Sequence, residues 1–367
     1  MTGPRRAGSM TRAAGVQVAG ALAGYAADAL WGDPRRGHPV AAFGRAAAAV
    51  ERRLWRDHRG AGACYVALCA GGAVALGRAA ESSARVVGRR PLAGLAVTAA
   101  ATWAVLGGTS LIREARAVAG ALEAGDPASA RERLPALCGR DPQELDVQDM
   151  ARAVVESVAE NTSDAVVGAL VWGALAGVPG LLGFRAVNTL DAMVGHRSPR
   201  HRRFGWAAAR LDDVAGCPGA WLTAALAALA GPDPRGAVRA WRADAHRHPS
   251  PNAGPVEASF AGALGVRLGG TLSYGGRTEH RPVLNAPGRP VRTADVERAV
   301  RLSRRVGALA LAATCAGVAA RHAVVGALRT ATTGGTGMPG TTGGTGTTGT
   351  GHAGAGKGGR ATRGGAW

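Results

Sequence analysis

Two octapeptides in this chain nearly repeat each other and carry groups suited to chemistry. They are Asn161-Thr-Ser-Asp-Ala-Val-Val-Gly168 and Asn188-Thr-Leu-Asp-Ala-Met-Val-Gly195, which share six residues in the same places. A paired Asn-Thr-x-Asp unit can supply two carboxylates and two amides to one polar site. Both copies lie beside long uncharged stretches, where a metal ion or another cation would stabilise a half-buried carboxylate. We therefore predict an enzyme site that uses both copies.

The same residues also fit a simpler interpretation as helix starts. Asn, Thr, Ser and Asp before an apolar run are ordinary N-cap residues, because their side chains accept hydrogen bonds from the first backbone N–H groups. The two interpretations are compatible, so capping alone and capping beside a shared site both stay open.

The composition indicates a membrane protein. Of the 367 residues, 47% are hydrophobic and only 4% are aromatic, and the apolar residues fall in uncharged blocks. A bilayer-spanning helix needs about 20 mostly apolar residues. Four runs fit a span, if polar residues near the ends of two of them reach the interface. These runs are Ala13 to Trp31, Ala61 to Gly77, Pro91 to Ile112 and Val306 to Leu328.

Two further apolar runs are interrupted by proline. Pro179-Gly180 breaks the run from Ala165 to Phe184, and Pro218 precedes a short run that ends at Gly231. Both fit re-entrant or internally packed helices. The octapeptides flank the run from Ala165 to Phe184. A site that both of them share therefore requires this run to begin and end on the same side of the membrane. We predict an all-α polytopic membrane protein with about four spanning helices, re-entrant or packed apolar helices, and helical polar loops.

We predict one integral-membrane catalytic unit over residues 1–330, with its polar motifs in loops 32–60, 113–164, 185–213 and 232–305. Its start resembles a signal sequence, which we interpret as a retained anchor. Gly125-Asp-Pro127 and Arg140-Asp-Pro142 predict turns or helix starts in the second loop. Residues 331–367 are Gly- and Thr-rich and are predicted to be disordered.

The formal net charge is +19, yet no basic cluster is interleaved with aromatic residues, so we expect no nucleic-acid partner. Basic loops suit an anionic cytoplasmic leaflet. Seven arginines between Gly32 and Gly60, against four between Arg78 and Arg90, favour the former loop as cytoplasmic. We expect a multi-pass protein of the inner (plasma) membrane with membrane lipid as a partner and cytoplasmic motif loops. The five cysteines support neither a disulfide framework nor a zinc site.

Several polar motifs together carry a family resemblance. They are Gly32-Asp-Pro-Arg-Arg-Gly-His-Pro39, Glu160-Asn-Thr-Ser-Asp164, Phe184-Arg-Ala-Val-Asn-Thr-Leu-Asp-Ala-Met-Val-Gly195, Arg210-Leu-Asp-Asp213 and His248-Pro-Ser-Pro-Asn-Ala-Gly254. In order and content the chain resembles the CobD/CbiB family of cobalamin-biosynthesis membrane proteins, from about Ala13 to Leu328. The Gly/Thr tail and Cys217-Pro218 depart from the family pattern without touching these motifs.

The resemblance implies an enzyme that joins aminopropanol, or aminopropanol phosphate, to the free propionate carboxylate of adenosylcobyric acid. The product would be adenosylcobinamide or its phosphate. A carboxylate and an amine do not condense unaided in water, so the resemblance also implies ATP as activator and Mg²⁺ to shield the phosphates. No Walker A or Rossmann pattern marks a nucleotide site.

The motif residues then take hypothetical roles. Glu160 and Asp164, and likewise Asn188 and Asp191, are spaced to share a helix face. Hard oxygen ligands of this kind suit Mg²⁺. The proposed metal ligands are Glu160, Asp164, Asp191 and Asp213. Of the adjacent Asp212 and Asp213, only one is expected to point inward.

Asp164 and Asp191 are also candidate catalytic residues, together with His38 and His248 as general bases, because histidine titrates near neutral pH. A purely structural role for each histidine is the open alternative. Arg185 and Arg210 are candidate phosphate clamps, or else each pairs with a nearby aspartate. The proposed substrate-binding residues are Asp33, Arg185, Asn188, Arg210, Ser250, Asn252 and Tyr274.

Three other classes of protein fit parts of the pattern. A Mg²⁺-dependent membrane prenyl- or alcohol-phosphate transferase would also use paired Asp-rich motifs. A non-catalytic membrane sensor of the AmpE type could share the scaffold, but we expect it to lack the His-Pro-Ser-Pro-Asn motif. A transporter is the general alternative for a polytopic chain, although motifs this polar fit chemistry better.

Overall fold

The computed structural model describes residues 3–34, 37–87, 91–139, 141–196, 198–274 and 277–334. These residues form twelve α-helices and one antiparallel pair of strands. The helices are α1 (Gly3–Trp31), α2 (Pro39–Leu54), α3 (Arg59–Val87), α4 (Pro91–Val105), α5 (Gly108–Glu123), α6 (Pro127–Arg133), α7 (Val147–Thr162), α8 (Gly168–Leu190), α9 (Trp206–Ala230), α10 (Pro234–Asp244), α11 (Ala253–Leu264) and α12 (Ala294–Gly334). The strands are β1 (Leu268–Tyr274) and β2 (Arg277–Leu284).

The all-α polytopic prediction is confirmed, although the membrane-compatible helices are a partly different set. Within the described residues, five segments are long and apolar enough to cross a membrane: Arg59–Val86, Pro91–Glu123, Val147–Gly195, Trp206–Ala230 and Ala294–Val325. The first predicted span lies in α1, which is not among these five. The two proline-interrupted runs lie in the third and fourth segments.

The third segment does not run straight through. Gly177 has φ +67° and ψ −148°, a conformation that L side chains rarely adopt, and it divides α8 into a first limb (168–176) and a second limb (178–190). Gly168 of the first limb faces the ring of Phe184 in the second, and Gly180 abuts the Trp172 carbonyl. The limbs therefore fold back on each other as a helical hairpin, as predicted for this run.

Proline and a carboxylate from α3 stabilise the break. Pro179 has no N–H to donate, and the Val178 N–H donates instead to Glu81 Oε1 at 2.9 Å. In apolar surroundings an unsatisfied backbone N–H group costs several kcal/mol. Glu81 therefore satisfies a donor that the break exposes.

Other helices run between the base and the tip of this hairpin. At the base, Thr162 hydrogen bonds with Ser303 of α12 at 2.6 Å. At the tip, Arg321 of α12 donates to the Leu175 carbonyl at 2.8 Å, and Gln17 of α1 donates to the Gly173 carbonyl at 2.7 Å. The hairpin is thus enclosed by α1, α3 and α12, with its octapeptides together at the base.

The polar segment between α5 and α7 follows the predicted turns. Asp126 caps α6 by accepting the Ser129 N–H at 3.0 Å, and Asp141 accepts the Gln143 N–H at 3.1 Å. Asp146 caps α7 through the Asp149 N–H at 2.7 Å. The helix starts expected at 125–127 and 140–142 are confirmed for their described residues; Arg140 lies outside them.

The β1–β2 hairpin corrects the expectation that the polar loops are entirely helical. Leu268 pairs with Leu284, and an irregularity follows at Gly269 and Gly270, whose φ values are +78° and +90°. Gly269 N–H donates to the buried Glu156 Oε1 of α7 at 2.7 Å, which ties β1 to the helical core. The Gly275-Gly276 turn lies outside the described residues. So does most of the predicted disordered tail, since α12 ends at Gly334.

Close packing of α1 on α4 generates a first prediction. A Cβ on Gly24 would lie 2.5 Å from the Ala99 carbonyl oxygen, whereas a Cβ on Gly15 of the same helix would meet nothing within 4 Å. Overpacking at such a contact typically costs about 1–3 kcal/mol. We expect Gly24→Val to lower the thermal unfolding midpoint of the detergent-purified protein and Gly15→Val to lower it much less. Equal effects of the two variants would contradict the packing described.

Candidate active site

The two octapeptides meet at the base of the helical hairpin. Asn188 Nδ2 donates to Asp164 Oδ2 at 3.3 Å, so an amide from the second copy binds the carboxylate of the first. The copies share an unusual local conformation as well. Each places its aspartate in a single turn of π-helix, Ser163–Val167 in the first copy and Asp191–Gly195 in the second. Such turns occur frequently at functional sites.

The interpretation of the octapeptides as helix starts is wrong. The first copy continues α7 directly into α8, and the second follows the end of α8. Neither π turn has a side-chain capping hydrogen bond at its start. The polar residues are therefore not used to begin a helix. Asn188 donates to Asp164 of the other copy, whereas Asn161 donates to the Ser157 carbonyl of its own helix at 3.0 Å, so one of the two predicted amides takes part.

A third carboxylate comes from α9. Asp212 interacts electrostatically with Asp191, Asp164 and Glu160, and it hydrogen bonds with Asn188. Its Oδ1 is buried and has no hydrogen-bond partner within the described structure. We refer to Glu160, Asp164, Asp191 and Asp212 as the carboxylate cluster.

Close backbone packing brings α9 to this position. A Cβ on Gly219 would lie 2.7 Å from Gly168 Cα. The α9 helix therefore crosses in backbone contact with the residue that follows the first π turn. The Asn252 side chain lies against Gly216, and its Nδ2 donates to the Asp212 carbonyl at 3.0 Å. Asn252 thus fixes the part of α9 that carries Asp212.

Asp212 joins the predicted Asp213 near the cluster, and it is the one of the two whose buried carboxylate oxygen has no partner in the described structure. Asp213 forms an ion pair with Arg210 at 2.9 Å, although it also lies within electrostatic range of Asp191. A helical pattern in the sequence contained the missing signal. The small buried residues Ala208 and Ala215 lie four and three positions from Asp212, which places it on the packed face of α9.

The cluster is accessible as well as negatively charged. Glu160 is exposed, and Asp164, Asp191 and Asp212 are half-buried. Each interacts with other members of the cluster, so their like charges repel in partly desolvated surroundings. A cation from a substrate or a metal ion would relieve this repulsion.

The donor set of the cluster fits Mg²⁺. In the described part of the chain, no three His, Cys, Asp or Glu side chains already stand in a geometry that would hold a metal ion. Mg²⁺ does not require such a cage, because it usually takes one or two carboxylates and completes its octahedron with water and substrate phosphates. The unpartnered Asp212 Oδ1 beside Asp191 and Asp164 offers oxygen ligands of the right hardness.

Arg185 lies at the edge of the cluster. It is carried by the second limb and interacts electrostatically with Asp33 and Asp164, and its buried Nε has no hydrogen-bond partner. An apolar groove of about 490 Å³ between α2, α3, α4 and α8 reaches Arg185 as well. Arg210 differs, because its side chain is exposed and pairs with Asp213 on the same helix. That pairing matches the structural alternative for Arg210.

His38 and Asp33 form a second group near Arg185. His38 Nε2 lies 3.3 Å from Asp33 Oδ1, while its Nδ1 accepts the Val40 N–H at 3.1 Å and caps α2. The His38 ring is therefore oriented by the helix start and directed at a carboxylate. Asp28, at the end of α1, adds a further carboxylate whose Oδ2 accepts the Thr109 N–H at 3.2 Å.

His248 is placed in a structural setting apart from the carboxylate cluster. Its Nδ1 accepts the Ser250 N–H at 3.1 Å, and its Nε2 faces Glu257 Oε1 of α11 at 3.8 Å. Ser250 Oγ in turn accepts the N–H groups of Asn252 and Ala253, which begins α11. The motif thus builds the turn that holds Asn252 against α9. The side chain of Tyr274 lies outside the described residues.

Burial lowers the pKa of His248 below its ordinary value, and the charge of Arg281 lowers it further. The unfolded chain then binds a proton here more readily than the folded chain. The stability that neutral His248 contributes is fully present above about pH 6.5 and is lost as the pH falls below that value.

We therefore expect the thermal unfolding temperature to decrease as the pH is lowered from about 7 to about 5.5, in part because His248 becomes protonated in the unfolded chain. His248→Asn keeps an acceptor for the Ser250 N–H and removes the titrating ring, so its dependence on pH should be shallower. His58→Asn, at an exposed histidine, serves as the control. An unchanged slope in the His248 variant would disprove this assignment.

A family model described as CobD/Cbib protein matches residues 21–303. This match covers the hairpin, both octapeptides, α9 and the His248 loop. The chain belongs to the CobD/CbiB family. The resemblance inferred from the motifs is confirmed, and membership places the chain in cobalamin biosynthesis.

Curated relatives agree with this family assignment. The chain is 55% identical over 303 residues to the cobalamin biosynthesis protein CobD of Mycobacterium tuberculosis, a match that covers 81% of this chain and 93% of the relative. It is 44% identical over 280 residues to CobD of Chromobacterium violaceum, covering 76% and 89%. No solved structure matches the chain. These CobD/CbiB relatives do not favour the prenyl transferase or the AmpE-type sensor.

Proposed function

We propose that this CobD/CbiB protein forms an amide bond between the amine of aminopropanol, or of aminopropanol phosphate, and the free propionate carboxylate of adenosylcobyric acid. Family membership supports a corrinoid substrate. The observation that carries the site assignment is the junction of Asp164, Asp191 and Asp212 at the base of the hairpin. Distant segments contribute these residues, which is typical of a binding site for reacting groups.

The charges at the site suit the two reactants. The carboxylate cluster attracts the ammonium group of the amine donor, and Arg185 attracts a carboxylate or a phosphate beside it. Bringing an amine and a carboxyl carbon together in fixed orientation accelerates their reaction. ATP would supply the activation by transferring its terminal phosphate to the carboxylate with release of ADP, Mg²⁺ would shield the phosphate charges, and phosphate would leave when the amine attacks.

The residues of the chain have distinct parts in this proposal. Asp164, Asp191 and Asp212, with Glu160, would hold the metal ion, and Asn188 orients Asp164. The attacking amine must lose protons, and His38 with Asp33 is a suitable acceptor because its imidazole is oriented by α2. Asn252 and Ser250 position α9 through backbone contacts.

We also propose that the protein lies in the plasma membrane and that the base of the hairpin faces the cytoplasm. ATP is available on that side. The segment from Gly32 to Gly60, which carries Asp33 and His38, contains seven arginines, in agreement with the positive-inside rule.

Asparagine variants of the carboxylates test the site. Asp164→Asn, Asp191→Asn and Asp212→Asn should each lower amide formation at least about 100-fold, because each removes charge that stabilises the reacting groups. Asp57→Asn is the matched control and should cost less than about tenfold, since Asp57 is exposed and pairs with Arg203 at the surface. The measurement is incubation of purified membranes with adenosylcobyric acid, ATP, Mg²⁺ and each donor, with mass analysis of the corrinoid. Unchanged product with the first two variants would remove the metal-site proposal.

Arg185→Lys should raise the KM for the carboxylate substrate about tenfold, because a point charge replaces a planar fork of donors. Arg210→Lys provides the control at an exposed arginine, and its KM should stay close to that of the unaltered protein. Steady-state kinetics at saturating amine donor would separate KM from kcat. Equal effects of the two substitutions would argue against Arg185 as a substrate-binding residue.

A further inference from the structure

A cavity of about 620 Å³ lies at the tip of the helical hairpin, at the end of the bundle away from the carboxylate cluster. It is open on one side and is lined by α1, α3, α4, α12 and the break at Gly177. Each limb of the hairpin has about 13 residues between its aspartate and Gly177, which corresponds to about 20 Å of helix. The cavity is therefore separate from the proposed active site.

The cavity lies at the ends of three membrane-compatible helices. The segment in α3 ends at Val86, the next begins at Pro91, and the segment in α12 ends at Val325. Glu81 and Arg321 line the cavity within a few residues of these ends. Its mouth is thus at the level where the hydrocarbon core gives way to lipid headgroups.

The polar part of the cavity has a surplus of positive charge. Arg12, Arg85 and Arg321 line it, and among its lining residues Glu81 is the one acid. Glu81 is already engaged, because its Oε1 accepts the Val178 N–H and its Oε2 pairs with Arg85 at 3.2 Å. Three arginines and one glutamate leave a net charge of +2 with His322 neutral. An anionic ligand would balance it.

The rest of the lining is apolar. Ala13, Val16, Val97 and Leu175 form a wall beside the arginines. A small free anion would make no use of this wall, whereas a lipid would place its phosphate on the arginines and an acyl chain along the apolar side chains. We propose that the cavity binds an anionic phospholipid.

Such a lipid would contact the residues that hold the hairpin break. Arg85 is bound to Glu81, and Arg321 donates to the Leu175 carbonyl at the tip. A phosphate between these arginines would therefore join α3 and α12 across the tip. Because the lipid would bind the folded protein and not the unfolded chain, its binding should also raise the unfolding temperature.

The test is native mass spectrometry of the full chain in detergent with phosphatidylglycerol or phosphatidylcholine. We expect phosphatidylglycerol to bind more tightly, and Arg12→Gln and Arg85→Gln each to weaken its binding about fivefold. Arg239→Gln, at an exposed arginine of α10, is the matched control and should leave binding unchanged. The unfolding temperature without added lipid shows whether Arg85→Gln remains folded, and Arg12 has no structural ion pair to lose within the described residues.

Three results would overturn the proposal. Phosphatidylcholine could bind as tightly as phosphatidylglycerol, which would show that charge has no part in recognition. Phosphatidylglycerol binding could survive both substitutions, which would place the lipid elsewhere. Inorganic phosphate could displace phosphatidylglycerol completely, which would make the cavity a phosphate site. None of these outcomes bears on amide formation at the carboxylate cluster.

Discussion

The structure depends on one backbone break inside an apolar helix. A chain that reverses at Gly177 leaves amide groups without helical partners, and lipid or packed side chains cannot satisfy them. The Glu81 carboxylate accepts the Val178 N–H and thereby makes the reversal tolerable. Because the chain reverses there, Asp164 and Asp191 lie at the same end of the bundle. A continuous helix would have separated them by the length of a membrane span.

Electrostatics set the second condition. Four neighbouring carboxylates, three of them half-buried, are unfavourable without cations, and the protein retains them beside Arg185 and Asn188. Glycine makes the arrangement possible, since Gly219 of α9 contacts the Gly168 backbone and allows Asp212 to approach. The cluster therefore results from close helix packing as much as from the polar motifs themselves. Activity and packing are linked at this crossing.

Much of this architecture could be predicted from the sequence. The apolar runs predicted a polytopic helical protein, and Pro179-Gly180 between two similar motifs predicted the reversal. The spacing of apolar residues in the sequence did not predict two features that depend on tertiary contacts. How closely Asp212 and Asp213 approach the cluster depends on which face of α9 packs inward, and Asn252 holds this part of α9 by donating to the Asp212 carbonyl. The β1–β2 pair escaped prediction because Gly269 is held by Glu156, a residue far away in the sequence.

The histidines show a similar limit. His38 and His248 each precede proline, and each Nδ1 accepts a backbone N–H two residues ahead. The sequence predicts the local turn in both cases. It does not predict that one ring faces Asp33 while the other faces Glu257 in the interior. Only the three-dimensional neighbours distinguish a histidine near the cluster from one that supports α11.

The paired π turns have a consequence for the tolerance of the chain to insertions and deletions. A π turn is an α-helix with one additional residue, and removal of that residue restores ordinary helix while rotating everything after it by about 100°. In the first copy, α7 and the first limb are both fixed by other contacts, so a deletion could not be absorbed by rotating either one. Chain length between Thr162 and Gly168 should therefore be under stricter constraint than the identity of most residues there.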